Sequence, residues 1–399
     1  MKDRMMPEFD LRADDLMRLR TIKDQICAKM FGMEPVVNAL LVSLLMRGHV
    51  LLEGNPGLGK TMLVRALGAG LGLEDGAMGR IQFTPDLMPS DITGTKMPDD
   101  NNTNRLKFRQ GPIFHQLLLA DEINRATAKT QSAMLEAMAE NQVTVLGDTH
   151  HLTHLKPARD GGQEYQVLTP FMVMATQNPI EQDGTNPLPE AQLDRFMFKI
   201  RMHFPTAENL QKIIATEQRR LPGRAEQTAN TASTQDQALV ALHRLSGAIR
   251  AAELNPFVAQ HISNIIMASV GQLGQTQGIN HSDMAALQQF GDEKIAYPLG
   301  PRAGIALTLG TLAWAAVALV DPAEPEQLSA KTGEALTAIA LPALRHRIKF
   351  HHDFASTDRN EADEHDNNLR QFITHCAPSD PAYKIPILSQ FEAGAGLGL

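Results

Sequence analysis

The sequence predicts a parallel α/β domain followed by a separate all-helical domain, and three observations carry that reading. A short apolar run at residues 49–53 leads into a Gly-rich turn and then a helical pattern, which is the opening unit of a parallel sheet. Two later apolar runs, 117–120 and 171–175, end in Asp121-Glu122 and Thr176-Gln177-Asn178. Both place polar residues past the carboxyl end of a strand, where open α/β sheets bind ligands. After Phe204-Pro205 this alternation stops, and helical patterning dominates from about residue 206 to 350.

In chain order, residues 1–35 are charged and helical in pattern and form an N-terminal helical segment. Residues 36–204 make the α/β core. It opens with a helix over 36–46 broken at Arg47-Gly48, then the strand and turn, a helix from about 60 to 71, and a hairpin insertion near 142–168. Residues 205–350 make the helical domain, with polar loops near 221–236 and 271–292. The tail, 351–399, is rich in Asp, Asn and His and then in Pro and Gly, a composition expected to leave it partly disordered. The uncharged stretch 303–320 approaches the length of a membrane span, but Ala, Gly and Thr supply its weight and Arg302 and Asp321 bracket it. It reads as a buried helix, and no membrane span is expected.

The balance of 43% hydrophobic and 21% charged residues in 399 suits a globular chain of two or three domains. The 37 basic and 45 acidic residues leave a net charge of −8 without a long basic run, which weighs against a nucleic acid as the main partner. Cys27 and Cys376 are far apart and lack metal-ligand spacing, so a disulfide framework is not expected and a cytoplasmic location is. The N-terminus lacks the apolar stretch of a signal peptide. His150, His151 and His154, and His351-His352-Asp353, sit in no Cys/His framework and read as solvated.

The chemistry lies in the turn. Gly54-Asn55-Pro56-Gly57-Leu58-Gly59-Lys60-Thr61 fits the phosphate-binding pattern G-x-x-x-x-G-K-[ST], with Met62 continuing into the helix. Glycines let several backbone N–H groups approach a triphosphate closely. Lys60 would sit on its β- and γ-phosphates and the Thr61 hydroxyl would ligate Mg²⁺. The helix that follows aims its N-terminal dipole at the same charge. Asp121 would complete the Mg²⁺ shell, and Glu122 would orient and deprotonate the attacking water. Asn178 could hold that water against the γ-phosphate, or simply form the turn before Pro179.

With these motifs in place the sequence resembles the MoxR family of AAA+ ATPases. The landmarks are GHVLLEGNPGLGKT (48–61), FTPDLMPSDITGT (83–95), GPIF (111–114), LLLADEINRATAKTQSAMLEAM (117–138), ATQNPIEQDGTNPLPEAQLDRF (175–196), GPRA (300–303) and ALRHRI (343–348). They run in family order over about residues 30–350. The resemblance implies an AAA+ αβα nucleotide-binding domain with a small helical lid, binding ATP and Mg²⁺ at the seams of a homo-oligomeric ring, usually a hexamer. By position Asn178 matches the γ-phosphate sensor, Arg195 the arginine finger that reaches a neighbour's site, and Arg302 the second sensor arginine in the lid. A surface ion pair with Asp194 or Glu190 is the plainer reading of Arg195, and helix capping or snorkelling that of Arg302. Asn124-Arg125 could act at the seam or form a structural ion pair. Family members act on client proteins and with von Willebrand factor A domain partners, so a chaperone-like ATPase is expected. A nucleic-acid-dependent motor is the alternative. Two departures stand out: the expanded segment 150–168, expected to contact the client, and Gly300, where Ser is common.

Overall fold

The computed structural model describes residues 10–55, 57–73, 75–99, 102–178, 186–219, 232–351 and 359–392. Helices α1 (Ala13–Cys27) and α2 (Glu34–Leu45) precede strand β1 (Val50–Glu53), and the Gly-rich turn leads into α3 (Lys60–Gly70). Strand β2 (Met78–Gln82), the short helix α4 (Pro89–Thr93) and a hairpin of β3 (Gly94–Asp99) and β4 (Asn102–Gln110) follow, then β5 (Leu117–Asp121) and α5 (Ala128–Glu140). The insertion forms two hairpins, β6 (Gln142–Val145) with β7 (Asp148–His151) and β8 (Leu155–Asp160) with β9 (Gln163–Leu168). Strand β10 (Met172–Gln177), the short α6 (Glu190–Leu193) and β11 (Phe198–Arg201) complete the core. The second domain holds α7 (Ala207–Arg219), α8 (Ala232–Ala251), α9 (Pro256–Ser269), α10 (His281–Glu293), α11 (Pro301–Trp314) and α12 (Leu328–Leu344). A small antiparallel pair, β12 (Ile295–Tyr297) with β13 (Lys349–Phe350), joins them. Helices α13 (Arg359–His375) and α14 (Pro381–Glu392) follow.

The five core strands pair in parallel in the order β11-β1-β10-β5-β2. Because strand side chains alternate, each strand feeds two cores. Val50, Leu52, Leu117, Leu119, Met172 and Met174 join a core with α1, α2, α3 and the helical domain. Leu51, Leu118, Ala120, Val173 and Ala175 join one with α5. Parallel pairing brings Glu53, Gln82, Asp121, Gln177 and Arg201 to the same carboxyl edge. Helix boundaries follow local chemistry: Thr127 caps α5 by accepting from the Thr130 N–H at 3.4 Å, and Asn141, in the left-handed region at φ 53°, ends it.

The tail expected to be partly disordered folds over residues 359–392. Leu369, Phe372, Ile373 and Cys376, spaced i, i+3, i+4 and i+7, form an apolar stripe within a polar segment and are fully buried in the shared core. The stretch Pro301–Leu319 is apolar enough to cross a membrane by length and composition, yet 61% of it is buried inside the protein, between α9 and α12.

Within the expanded segment, β8–β9 packs on α8. Ala158 and Val167 are buried against Leu239 and Val240, and Arg244 bridges Asp15 of α1 at 2.6 Å and Asp160 of β8 at 2.8 Å.

Three buried histidines tie distant segments together. His49 accepts from the Val173 N–H through Nδ1 and donates through Nε2 to the Met138 carbonyl, each at 3.1 Å. His261 joins the Tyr383 hydroxyl and the Ile373 carbonyl, and His346 donates to the Phe196 carbonyl. Burial lowers the pKa of His49 and of His261 from 6.5 to about 4, and that of His346 well below 6.5. The unfolded chain therefore binds more protons between pH 6.5 and about 4. Stability is full above pH 6.5 and falls with pH across that window, by about 1.4 kcal/mol per unit for each site. Thermal melts at stepped pH should show this slope, and His261→Gln should flatten it.

Candidate active site

The phosphate-binding turn starts where β1 ends. Gly57 and Gly59 adopt φ of 86° and 77°, which a side chain rarely tolerates, and the reversal lets Lys60 begin α3. A Cβ at Gly57 would meet nothing within 4 Å, so conformation, not space, demands glycine there. Gly54 is closed by its N–H on the Gln177 carbonyl at 3.3 Å, and a Cβ there would come within 2.9 Å of Met202. Leu58 is buried, Asn55 and Thr61 are half-buried and Met62 is exposed. Pro56 lies outside the described residues. Lys60 donates to the Gly54 carbonyl at 2.5 Å. Burial lowers its pKa, opposed by Asp121, Glu122 and Glu53.

Asp121 and Glu122 end β5 as expected, but a residue from another strand fixes their geometry. The Thr176 hydroxyl donates to Asp121 Oδ1 at 2.6 Å and accepts the Glu122 N–H at 2.9 Å. That N–H faces β10 because the carbonyl of the same peptide, on Asp121, points the other way to accept the Phe83 N–H at 2.9 Å. Glu122 itself sits at φ 56°, a strained conformation for a residue other than glycine. Arg80 of β2 holds Asp121 Oδ2 at 2.6 Å, and Gln82 donates to Glu122 Oε2 at 3.3 Å. Arg125, left open between two roles, ion-pairs with Glu122 at 2.7 Å. Asn178 follows β10 directly, beside this edge.

The residues fit a triphosphate with a divalent cation. A hydroxyl and a carboxylate, Thr61 and Asp121, are the hard oxygen ligands that Mg²⁺ prefers, and the Asp121 carboxylate would be shared between that cation and the Arg80 guanidinium.

The two arginines stand elsewhere. Met197 donates its N–H to the His49 carbonyl at 2.8 Å, and Phe198 pairs with Val50, so Arg195 lies beyond the amino end of β11. The four residues of β1 alone separate that end from the phosphate turn by about 13 Å. The plainer reading of Arg195 fails: Asp194 pairs with Arg347 at 2.8 Å and Arg302 at 3.5 Å, and Glu190 with Lys349. Among the described residues no carboxylate pairs with Arg195, and its buried Nε has no partner. Arg302 is exposed in the first turn of α11, where a cation opposes the helix dipole, so capping does not explain it. Gly300 offers that helix no side-chain cap. Through Asp194, Arg302 shares the end of the sheet with Arg195.

Sequence reasoning missed Thr176, Arg80, Gln82 and Arg347 as site residues. Thr176 and Arg347 stood inside the quoted landmarks, but their partners are set by register and tertiary packing.

Residues 49–157 and 158–198 match the family described as ATPase family associated with various cellular activities (AAA). YeaC of Bacillus subtilis, itself uncharacterised, is 47% identical over 193 residues, which cover 48% of this chain and 54% of that protein. The chaperone MoxR1 of Mycobacterium tuberculosis is 46% identical over 183 residues, covering 46% and 44%. The chain thus matches about half the length of these curated relatives. The crystal structure of a candidate ATPase from Cytophaga hutchinsonii superposes with a TM-score of 0.66 at 28% identity, over 90% of this chain and 95% of that one.

Proposed function

We propose that this chain, which is similar over residues 49–198 to the MoxR proteins and other AAA+ ATPases, hydrolyses ATP at a seam between two copies, as a chaperone-like machine acting on a client protein. One observation carries the reading. The phosphate turn and acid pair lie at the carboxyl edge of the sheet, whereas Arg195 and Arg302 lie at the amino end, so one copy cannot complete its own site. A ring, of which a hexamer is the expected form, joins each carboxyl edge to a neighbour's arginines.

At that seam the 54–61 turn and Lys60 hold the β- and γ-phosphates, and Thr61 and Asp121 hold Mg²⁺. The cation, when bound, neutralises charge on the transferring group. Glu122 orients a water and takes its proton as the water oxygen bonds to γ-phosphorus and the bond to ADP breaks. Asn178 steadies that water. Arg195 and Arg302 of the neighbour stabilise the equatorial oxygens, for which a planar, always-charged guanidinium is suited. A partner with a von Willebrand factor A domain and a cytoplasmic location belong to the same proposal.

Affinity capture with Glu122→Gln and ATP tests the client. Recovery of a defined protein, absent when Lys60→Ala is the bait, supports the reading. A nucleic acid recovered in its place, with turnover stimulated by DNA and steeply salt-dependent, overturns it in favour of a motor.

A further inference from the structure

The arginine-bearing segment is gripped from the helical domain by a side chain to which neither the phosphate chemistry nor the seam assigns a role. Arg347 follows α12 and is almost fully buried, and all five of its N–H donors are engaged. Nε donates to Asp194 Oδ1 at 2.8 Å. Nη2 donates to the Phe196 carbonyl at 2.6 Å and the Asp194 carbonyl at 3.2 Å. Nη1 donates to the Met197 carbonyl at 3.0 Å and to the carbonyl of Ala343. His346 adds a second donor to the Phe196 carbonyl at 2.9 Å. The Phe196 ring is fully buried in the core under α5, so the backbone on both sides of Arg195 is pinned, while among the described residues the Arg195 Nε has no partner. The other oxygen of Asp194 reaches Arg302 on α11.

We propose that Arg347 is the positioning residue for the two arginines offered to the neighbouring copy. It fastens residues 194–197 to the helical domain and, through Asp194, holds Arg195 and Arg302 as a pair. The same segment is also fixed to the α/β core by the Phe196 ring and the Met197 N–H. A lid movement therefore acts on this grip and changes how both arginines are presented, and the state of one copy's lid sets the competence of the next copy's site. The inference rests on the seam proposed above.

The test uses full-length Arg347→Lys, which keeps a charge but cannot span five acceptors. Hydrolysis should fall on the order of 10- to 100-fold with nucleotide affinity unchanged. Mixing with Lys60→Ala, which lends an intact arginine pair, should restore turnover, and mixing with Arg195→Ala should not. Asp194→Asn, which removes the carboxylate alone and keeps the backbone acceptors, should show the same pattern in milder form and carries the test if Arg347→Lys does not fold. Wild-type rates for Arg347→Lys beside an inactive Arg195→Ala would overturn this inference alone, as would a nucleotide-binding Arg347→Lys that Lys60→Ala cannot rescue. Full turnover by a wild-type monomer would instead remove the seam itself.

Discussion

Glu122→Gln is expected to cut ATP hydrolysis by about 10²- to 10⁴-fold while nucleotide affinity stays near that of the unaltered chain. The substitution preserves shape and an acceptor oxygen and deletes only the charge that takes the proton. Its backbone is held by Thr176 through the Glu122 N–H, a bond the side-chain change does not touch. Gln tolerates the left-handed conformation no worse than Glu, so no new strain arises at φ 56°. The lost ion pair with Arg125 is partly exposed on both sides and costs little in folding. A rate defect at unchanged thermal midpoint therefore isolates the chemical step. Single-turnover hydrolysis beside equilibrium binding of a fluorescent ATP analogue reads both quantities. A rate within a few-fold of wild type would remove Glu122 as the base.

The contiguous chemistry was legible in the sequence. A phosphate loop needs glycine at fixed offsets, and the acid pair must end an apolar strand, so both appear as local patterns. The sheet was legible as strand-turn-helix punctuation, although its order was not. What stayed hidden depends on pairing at a distance. Thr176 meets Asp121 only because β10 and β5 lie side by side in one register, 55 residues apart in sequence. Arg347 meets Asp194 across 153 residues. The tail's composition masked a stripe spaced as one helix face, and the docking of β8–β9 on α8 required knowing that the helical domain returns to the core. The β3–β4 hairpin went unread because its strands are polar and Pro98 interrupts the first.

Arg195→Ala should abolish turnover by the uniform assembly, by about 10³-fold or more, with nucleotide binding intact. A half-buried arginine with no carboxylate partner among the described residues and one buried, unpartnered nitrogen contributes little to folding, so loss of activity cannot be assigned to collapse of the structure. Its distance from its own phosphate turn, at least the length of β1, excludes direct action within one copy. The defect must therefore be complementable. Lys60→Ala subunits bind no triphosphate but present intact arginines, so mixtures of the two inactive proteins should recover hydrolysis at every seam where an Arg195→Ala pocket faces a Lys60→Ala neighbour. For random assembly that fraction peaks at equal proportions and vanishes at either extreme. A titration of one variant into the other that traces this maximum supports the shared site. A flat, inactive line from variants that still assemble and bind as expected would place Arg195 outside the chemistry, and full activity of Arg195→Ala alone would do the same.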